Sequence, residues 1–307
     1  MSKLSSSRSQ FIDWLTAKLG VQVMNAIAGD QASGTVNRHQ FQSVSLVNGR
    51  RLDLIVRERL MPIFPGVLSL DDEEAALRLA SQTSRLVPSP IGVFDSALVS
   101  FAIKPHRKSP GDFFALSTQE RLSLAGDLAQ VIVAINEVSL EAVDTWLDRL
   151  EAMLAFVGKH PMIPELFACL EEELVAMPDF LSGRWGLLHN EVRLGNLLLD
   201  EKDRLHLIDF DLACLGDPLM DMGWFAAPVW QYGEGLVSLE AWRGCCSQAL
   251  GQEISVEQLA YWQRLGQLRW AIMALVQAKR GRALNDAAMM AEEVAAQEAL
   301  AVYRSLL

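Results

Sequence analysis

The sequence predicts an α+β fold in two lobes, a small antiparallel-sheet lobe followed by a larger, mainly helical lobe. Three observations support this. Alternating segments with turn residues fill positions 29–59, one helical segment interrupts the strands, and helical periodicity dominates after residue 118. We place the lobes at residues 1–103 and 104–307, because the chain around residue 104 is rich in proline, glycine and basic residues.

The first elements are predicted from periodicity and turn residues. Phe11 to Met24 carries apolar residues at helical spacing and is predicted as a helix. The dipeptide Asn48-Gly49 is a strong hairpin signal, so Gly29 to Arg59 is predicted as two or three antiparallel strands.

A single helix and a further strand pair complete the predicted small lobe. The acids that follow Leu70 suit the first turn of a helix, and Pro88 and Pro90 end it. Ile91–Phe94 and Leu98–Ile103 are predicted as paired strands. The remaining chain is predicted as helices over residues 118–177 and from Val237 onward.

Composition argues against several classes of protein. With 307 residues and 50% apolar content, the chain has enough material for a core, and its net charge is −11. This charge argues against nucleic acid and anionic membranes as partners. No apolar run approaches the roughly 20 residues that span a bilayer, and the N-terminus lacks the apolar core of a signal peptide. The four cysteines form no C-x-x-C pair, so reduced thiols and a cytoplasmic location are expected. A homodimer is left open.

The strongest functional signal lies in the segment from His189 to Asn196 and in Asp209. Glu191 follows the histidine by two residues, Asn196 comes five residues later, and Asp209 closes a short apolar run. Phosphoryl-transfer sites have this spacing, because one carboxylate accepts a hydroxyl proton while an amide oxygen and a second carboxylate hold Mg²⁺ on nucleotide phosphates. We predict that a strand at 197–199 and a returning strand at 204–209 bring these groups into one cleft.

Further segments resemble a known family. Leu215-Gly216-Asp217-Pro218 follows the motif, and Leu268-Arg269-Trp270 and Gln277-Ala278-Lys279-Arg280 come near the end. Together with the His189 segment, they resemble the aminoglycoside phosphotransferase/choline kinase-like superfamily, nearest the branch of phosphotransferase domains associated with acyl-CoA dehydrogenases. The resemblance spans roughly residues 20–305. It implies a protein-kinase-like fold with ATP bound between the lobes.

Two residues of the motif depart from the family. Glu191 stands where the family has a catalytic aspartate, and its side chain is one methylene longer. Because a misplacement of about 1 Å can lower a rate about 100-fold, both an active base and a binding-only relic are considered. Asn190 replaces the family's glycine, and asparagine tolerates a positive φ better than other non-glycine residues.

The resemblance also places His189 and Arg193 among the catalytic residues. His189 is expected to orient the loop through a backbone hydrogen bond near Asp209. Arg193 has two interpretations: it stabilises the transferred phosphoryl group, or it forms a salt bridge to Asp221 or Asp211 that holds the loop.

Five further acidic or amide residues have predicted roles. Asn196 and Asp209 match the two metal ligands of the family, and Mg²⁺ prefers such oxygen ligands. Asp211 is predicted as a secondary metal contact or a helix cap. Asp217 has the form of an N-cap followed by proline, and Asp221 is expected to brace the catalytic loop.

The small lobe is predicted to hold the nucleotide phosphates. Residues 29–35 occupy the place of the family's glycine-rich loop, whose amides cover the phosphates; the candidates in it are Gly29, Ser33 and Gly34. Arg57 is predicted to clamp the phosphates as a planar fork, and Arg59 competes for this role. Glu74 is the predicted partner of either arginine, with a solvated acid in a helical turn as the alternative.

The sequence therefore predicts an ATP- and Mg²⁺-dependent phosphotransferase that acts on a hydroxyl group of a small molecule. A nucleotide-binding pseudokinase is the alternative because of Glu191, and a protein kinase is disfavoured because no activation segment follows Asp209. The acceptor is not predicted. The candidate pocket residues are Trp224, Trp230, Tyr232 and Glu234, and helix packing with a charge near the cleft is expected of Arg269, Trp270 and Arg280.

Overall fold

Five antiparallel strands form the sheet of the smaller lobe. The computed structural model describes residues 8–33 (backbone only at 32 and 33), 37–61, 64–103, 105, 109–140, 143–231 and 235–307. The strands lie in the order β1-β2-β3-β5-β4. Their bounds are β1 Val23–Ser33, β2 Asn37–Leu46, β3 Arg51–Arg59, β4 Pro90–Phe94 and β5 Ala97–Phe101.

The predicted turn at Asn48-Gly49 connects strands β2 and β3. Asn48 accepts a hydrogen bond from the amide of Arg50 through its side chain, at 3.1 Å. Gly49 has φ +80°, a conformation that a side chain would strain. The prediction of antiparallel strands in this region is confirmed, and the same holds for the later strand pair.

The first helix packs on the sheet and is shorter than predicted. Helix α1 spans Arg8–Leu19, whereas the sequence predicted a helix to Met24. Gly20 turns the chain with φ +64°, and β1 already begins at Val23. Apolar residues of α1 and of the strands form one hydrophobic cluster, which includes Phe11, Leu15, Val44, Leu54 and Val99.

Helix α2 (Leu70–Thr83) connects the sheet to the larger lobe. Ser69 caps it by accepting a hydrogen bond from the amide of Asp72, as the run of acids in its first turn suggests. Its inner face, with Ala76, Leu77 and Ala80, belongs to the hydrophobic core of the larger lobe. The helix therefore packs against both the sheet and the larger lobe.

The larger lobe is mainly helical, as predicted. Its long helix α9 is buried along most of its length and packs against α5, α6, α7 and α10. The helices are α3 Pro110–Phe114, α4 Thr118–Asn136, α5 Trp146–Val157, α6 Ile163–Ala176, α7 Pro218–Ala226, α8 Leu239–Leu250, α9 Val256–Leu284 and α10 Ala287–Ser305. None of the helices within the described ranges combines the length and apolar character needed to cross a membrane.

Two short antiparallel ribbons carry the predicted motif. Strands β7 (Leu197–Leu199) and β8 (Leu205–Leu207) form the hairpin, and β6 (Gly186–Leu188) pairs with β9 (Cys214–Gly216). The chain thus forms the predicted two-lobed α+β fold, with the hairpin facing the sheet. The exact lobe boundary between residues 103 and 104 stays a prediction.

Candidate active site

The loop after β6 is held in place by buried hydrogen bonds. Asp221, on α7, accepts hydrogen bonds from the amides of His189 and Asn190, both at 2.8 Å. The N-terminus of α7 is fixed by Asp217, which caps it with Pro218 following. Both aspartates have the bracing roles that the sequence predicted. Burial raises the pKa of Asp221 to about 6, although the two amides act in the opposite direction.

Asn190 has the backbone conformation that was expected of it. Its φ is +62°, and its side-chain amide donates to the carbonyl oxygen of Leu212 at 3.0 Å. The buried guanidinium of Arg269 donates to the Asn190 carbonyl oxygen at 2.6 Å. The replacement of glycine by asparagine is therefore accommodated, and it links the two loops of the site.

His189 orients the loop and is not exposed to a substrate. The ring is fully buried; its Nε2 bonds the carbonyl oxygen of Ile208 at 2.8 Å, and its Nδ1 accepts from the amide of Glu191 at 3.2 Å. Burial lowers the pKa of His189 to about 4, so the imidazole is neutral at pH 7 with the proton on Nε2. The predicted bond to backbone beside Asp209 is confirmed, whereas a direct catalytic role for the ring is not supported.

The carboxylate of Glu191 is bonded through both oxygens. Oε1 accepts from Arg193 Nε at 3.2 Å, and Oε2 accepts from Asn196 Nδ2 at 3.0 Å. The same Nδ2 also donates to the Glu191 carbonyl oxygen at 2.9 Å, which leaves Asn196 Oδ1 as the atom suited to a cation. The two residues next to Glu191 in space thus fix the direction of its longer side chain.

Three carboxylates meet where the motif predicted a metal. Oxygens of Glu191, Asp209 and Asp211 lie within 4.8 Å of one another. Asp209 has φ +72°, a strained conformation for a non-glycine residue and one that is common at functional sites. Burial, with the charges of Asp209, Glu73 and Glu191, raises the pKa of Asp211 well above its usual range. A hard divalent cation would relieve this repulsion, so the residues fit Mg²⁺.

Arg57 is held between two acids that come from different lobes. Its guanidinium donates to the buried Glu73 of α2 and lies 3.4 Å from Asp209 Oδ1. Burial alone would lower the pKa of Arg57, but the carboxylates of Glu73 and Asp209 outweigh it and raise that pKa. Arg59 bonds Glu73 and the Leu68 carbonyl oxygen instead. Arg57 is therefore the arginine that faces the cleft.

The prediction that Glu74 pairs with Arg57 or Arg59 is wrong by one position, because the partner is Glu73. Glu73 lies between the two arginines, whereas Glu74 pairs with Arg78 on the outer face of α2. One residue along an α-helix turns the side chain by about 100°, so only one of two adjacent acids can face the sheet. Positions 71–74 are all acidic, so the local sequence does not show which of these acids faces the arginines.

The glycine-rich segment is only partly described. Gly29 lies within β1 against the backbone of Phe41, not in a loop, because the strand continues to Ser33 across a register irregularity. Only the backbone of Ser33 is described, and Gly34 lies outside the described residues. Phosphate contact by this segment stays a prediction.

Arg193 has a different partner from either aspartate proposed for it. Its Nε pairs with Glu191, and its guanidinium lies 5.6 Å from the ring centre of Trp230. Trp230 packs edge-on against Trp270, with ring centres 5.0 Å apart. These two rings therefore stand beside the predicted base, whereas Trp224 is buried beneath Arg269. Tyr232 and Glu234 lie outside the described residues.

Within the described part of the chain, Arg280 contacts the end of α5. Its guanidinium lies 4.4 Å from the ring centre of Phe156, at the end of α5. The expected charge near the cleft is supplied by Arg269 instead. The end of α9 turns Arg280 toward α5, a long-range consequence of packing that the sequence motif does not show.

A cavity of about 270 Å³ lies between the sheet and the hairpin. Its lining has a polar part next to the carboxylates and an apolar part beyond it. The polar part comprises His39, Arg57, Glu73, Asn196 and Asp209, and the apolar part includes Ile55, Leu98, Phe101, Ile103, Leu198 and Ile208. Such a division suits a ligand with an anionic end and a flat apolar end.

The sequence model of the phosphotransferase enzyme family matches residues 42–251. The chain belongs to this family. The match covers strands β3, β4 and β5 of the sheet and the whole catalytic hairpin. It does not distinguish the branch associated with acyl-CoA dehydrogenases, so that narrower resemblance stays a prediction.

Solved structures show the same fold at low sequence identity. A choline/ethanolamine kinase family protein from Mesorhizobium loti has a TM-score of 0.62 at 16% identity, covering 91% of this chain and 88% of that one. The choline kinase LicA from Streptococcus pneumoniae has a TM-score of 0.62 at 15% identity, covering 96% and 100%. A GDP complex of an aminoglycoside 2′-phosphotransferase-IIIa variant has a TM-score of 0.58 at 13% identity, covering 96% and 98%.

Proposed function

We propose that this member of the phosphotransferase enzyme family transfers the γ-phosphate of ATP, with Mg²⁺, to a hydroxyl group of a small molecule. The observation that carries the proposal is the convergence of Glu191, Asn196 and Asp209 at the polar end of the cleft, opposite Arg57. Kinase-type transfer depends on positioning and charge stabilisation, and these groups have the required chemical types.

The nucleotide is expected to lie along the cleft with its base at the apolar end. Ile55, Leu198 and Ile208 line that end from the sheet and from the hairpin. Relatives of the same fold have been solved with GDP and, for LicA, with AMP, which supports a nucleotide in this place. The hydrogen bonds of Arg57 to acids on both sides hold its guanidinium in the cleft before a nucleotide binds.

The amide oxygen of Asn196 and the carboxylates of Asp209 and Asp211 would hold Mg²⁺. When bound, the ion would neutralise the charge of the nucleotide phosphates. Glu191 is the group that would orient the acceptor hydroxyl and accept its proton. Arg193 and Asn196 direct the Glu191 carboxylate, so the extra methylene of glutamate is accommodated by contacts within the loop.

Phosphate transfer to a panel of hydroxyl compounds tests this function. The panel contains amino alcohols, sugars, hydroxy acids and simple alcohols, and formation of ADP and of the phosphorylated product is measured. We expect transfer by the wild type and a loss of about 100-fold or more in Glu191→Gln, because the amide cannot accept a proton. Transfer unchanged in Glu191→Gln would exclude this carboxylate as the base.

A pseudokinase is the second candidate, because both oxygens of Glu191 already have partners within the protein. It predicts Mg·ATP binding with no transfer to any hydroxyl. Glu191→Asp separates the two functions. An active wild type with a weaker aspartate variant supports the enzyme. An inert wild type together with an active aspartate variant supports a decayed site.

A further inference from the structure

His39 lies in the cleft directly across the sheet from Arg57. The two residues are paired in the antiparallel register of β2 and β3, so their side chains leave the same face of the sheet. The preceding pair, Arg38 and Glu58, forms a salt bridge on the opposite face. This alternation fixes His39 on the cleft side, where it lines the same cavity as Arg57.

The imidazole stands at the phosphate end of the cleft, not at the base end. Arg57 and Asp209 are the charged groups that act on His39 from β3 and from the loop after β8. The apolar lining begins further along β3, at Ile55. A ligand group that reaches His39 from the cavity therefore also lies close to Arg57.

The ring of His39 makes no hydrogen bond within the described part of the chain, although it is half-buried. Burial lowers the pKa of His39, and the neighbouring Arg57 lowers it further, so the free protein holds a neutral imidazole. A lysine in its place would repel Arg57, whereas a neutral imidazole can still donate one hydrogen bond to an anion.

We propose that His39 is a binding residue for the phosphate chain of the nucleotide, donating a ring N–H to a phosphate oxygen beside Arg57. This inference rests on the proposed function, because it needs a nucleotide in the cleft. It adds a second contact from the sheet to the one predicted for Arg57. It also gives a role to a ring that has no hydrogen-bond partner among the described residues.

Binding of adenosine and of ADP, measured by calorimetry with Mg²⁺ present, tests the proposal. The variants are His39→Leu, which removes the donor, and His39→Gln, which keeps one. His160→Gln is the matched control, because His160 pairs with Glu293 in the larger lobe, away from the cleft. Melting temperatures of all proteins show whether each variant is folded.

We expect His39→Leu to weaken ADP binding by about 3- to 30-fold and to leave adenosine binding unchanged, because only ADP carries phosphates. His39→Gln should weaken ADP binding less, and His160→Gln should not weaken it. Equal ADP affinity in the wild type and in both His39 variants overturns the inference and leaves the proposed function in place. Equal weakening for adenosine and ADP also overturns it, since the ring would then contact the base. A wild type that binds neither ligand overturns the proposed function as well.

Discussion

Replacing Glu73 with glutamine should destabilise the protein far more than the same replacement at Glu74. The Glu73 side chain is only 1% exposed and accepts hydrogen bonds from Arg57 and from Arg59, the latter at 2.6 Å. Each hydrogen bond to a charged group contributes about 1.5–3 kcal/mol, and breaking a buried ion pair costs about 3–5 kcal/mol. Glutamine removes the charge and turns one N–H₂ toward a guanidinium, so we expect a loss of about 3–5 kcal/mol.

Glu74→Gln is the control at the neighbouring position. Glu74 pairs with Arg78, whose side chain is 46% exposed, and such surface pairs contribute about 0.3–0.5 kcal/mol. At about 2–4 °C per kcal/mol, Glu73→Gln should lower the melting temperature by about 6–20 °C and Glu74→Gln by no more than about 2 °C. Thermal unfolding followed by circular dichroism measures both. Equal shifts for the two variants would refute the assignment of Glu73 as the partner of the arginines.

Three further predictions concern the catalytic loop and its supports. A Cβ at Gly186 would overlap the carbonyl group of Asn136, so Gly186→Ala should prevent stable folding. Gly126→Ala is the control: a Cβ there meets no atom within 4 Å, so alanine should stabilise α4 by up to about 1 kcal/mol. Similar urea midpoints for the two variants would contradict this. Because the pKa of Asp221 is raised to about 6, its stabilising contribution is fully present only below the unfolded pKa of about 3.8 and is lost as pH rises through 6. Relative to Asp221→Asn, the wild type should lose about 2–2.5 kcal/mol of unfolding free energy, measured with urea, between pH 4 and pH 7, and parallel curves would argue against it. The backbone of Asn190 has φ +62°, which strains alanine but not glycine. Both Asn190→Ala and Asn190→Gly lose the side-chain hydrogen bond to Leu212, so the alanine variant should be less stable than the glycine variant by about 1 kcal/mol in urea unfolding. The reverse order would be inconsistent with this backbone conformation.

Local signals were sufficient for the strand and helix pattern of the fold. The Asn48-Gly49 turn, the acidic first turn of α2 and the cap of α7 by Asp217 all act within a few residues, so the sequence shows them directly. The hairpin spacing from Glu191 to Asp209 is also local, and the structure brings both carboxylates together.

Contacts between distant segments were the part that the sequence could not show. Which acid of α2 faces Arg57 depends on the rotation of the helix against the sheet, and this placed Glu73, not Glu74, in the cleft. The pairing of Arg193 with Glu191 instead of Asp221 depends on the turn of the loop. The position of His39 follows from the β2–β3 register, which could be derived only after both strand bounds were known.

Magnesium-dependent binding of ATP tests the central claim most directly. Calorimetric titrations of the wild type and Asp209→Asn, each with Mg²⁺ and with EDTA, give the factor by which the metal strengthens binding. We predict one ATP per chain, with a large magnesium effect in the wild type that falls at least tenfold in Asp209→Asn, because one metal-holding carboxylate has become an amide. The same magnesium effect in both proteins would contradict a metal-nucleotide site on this hairpin.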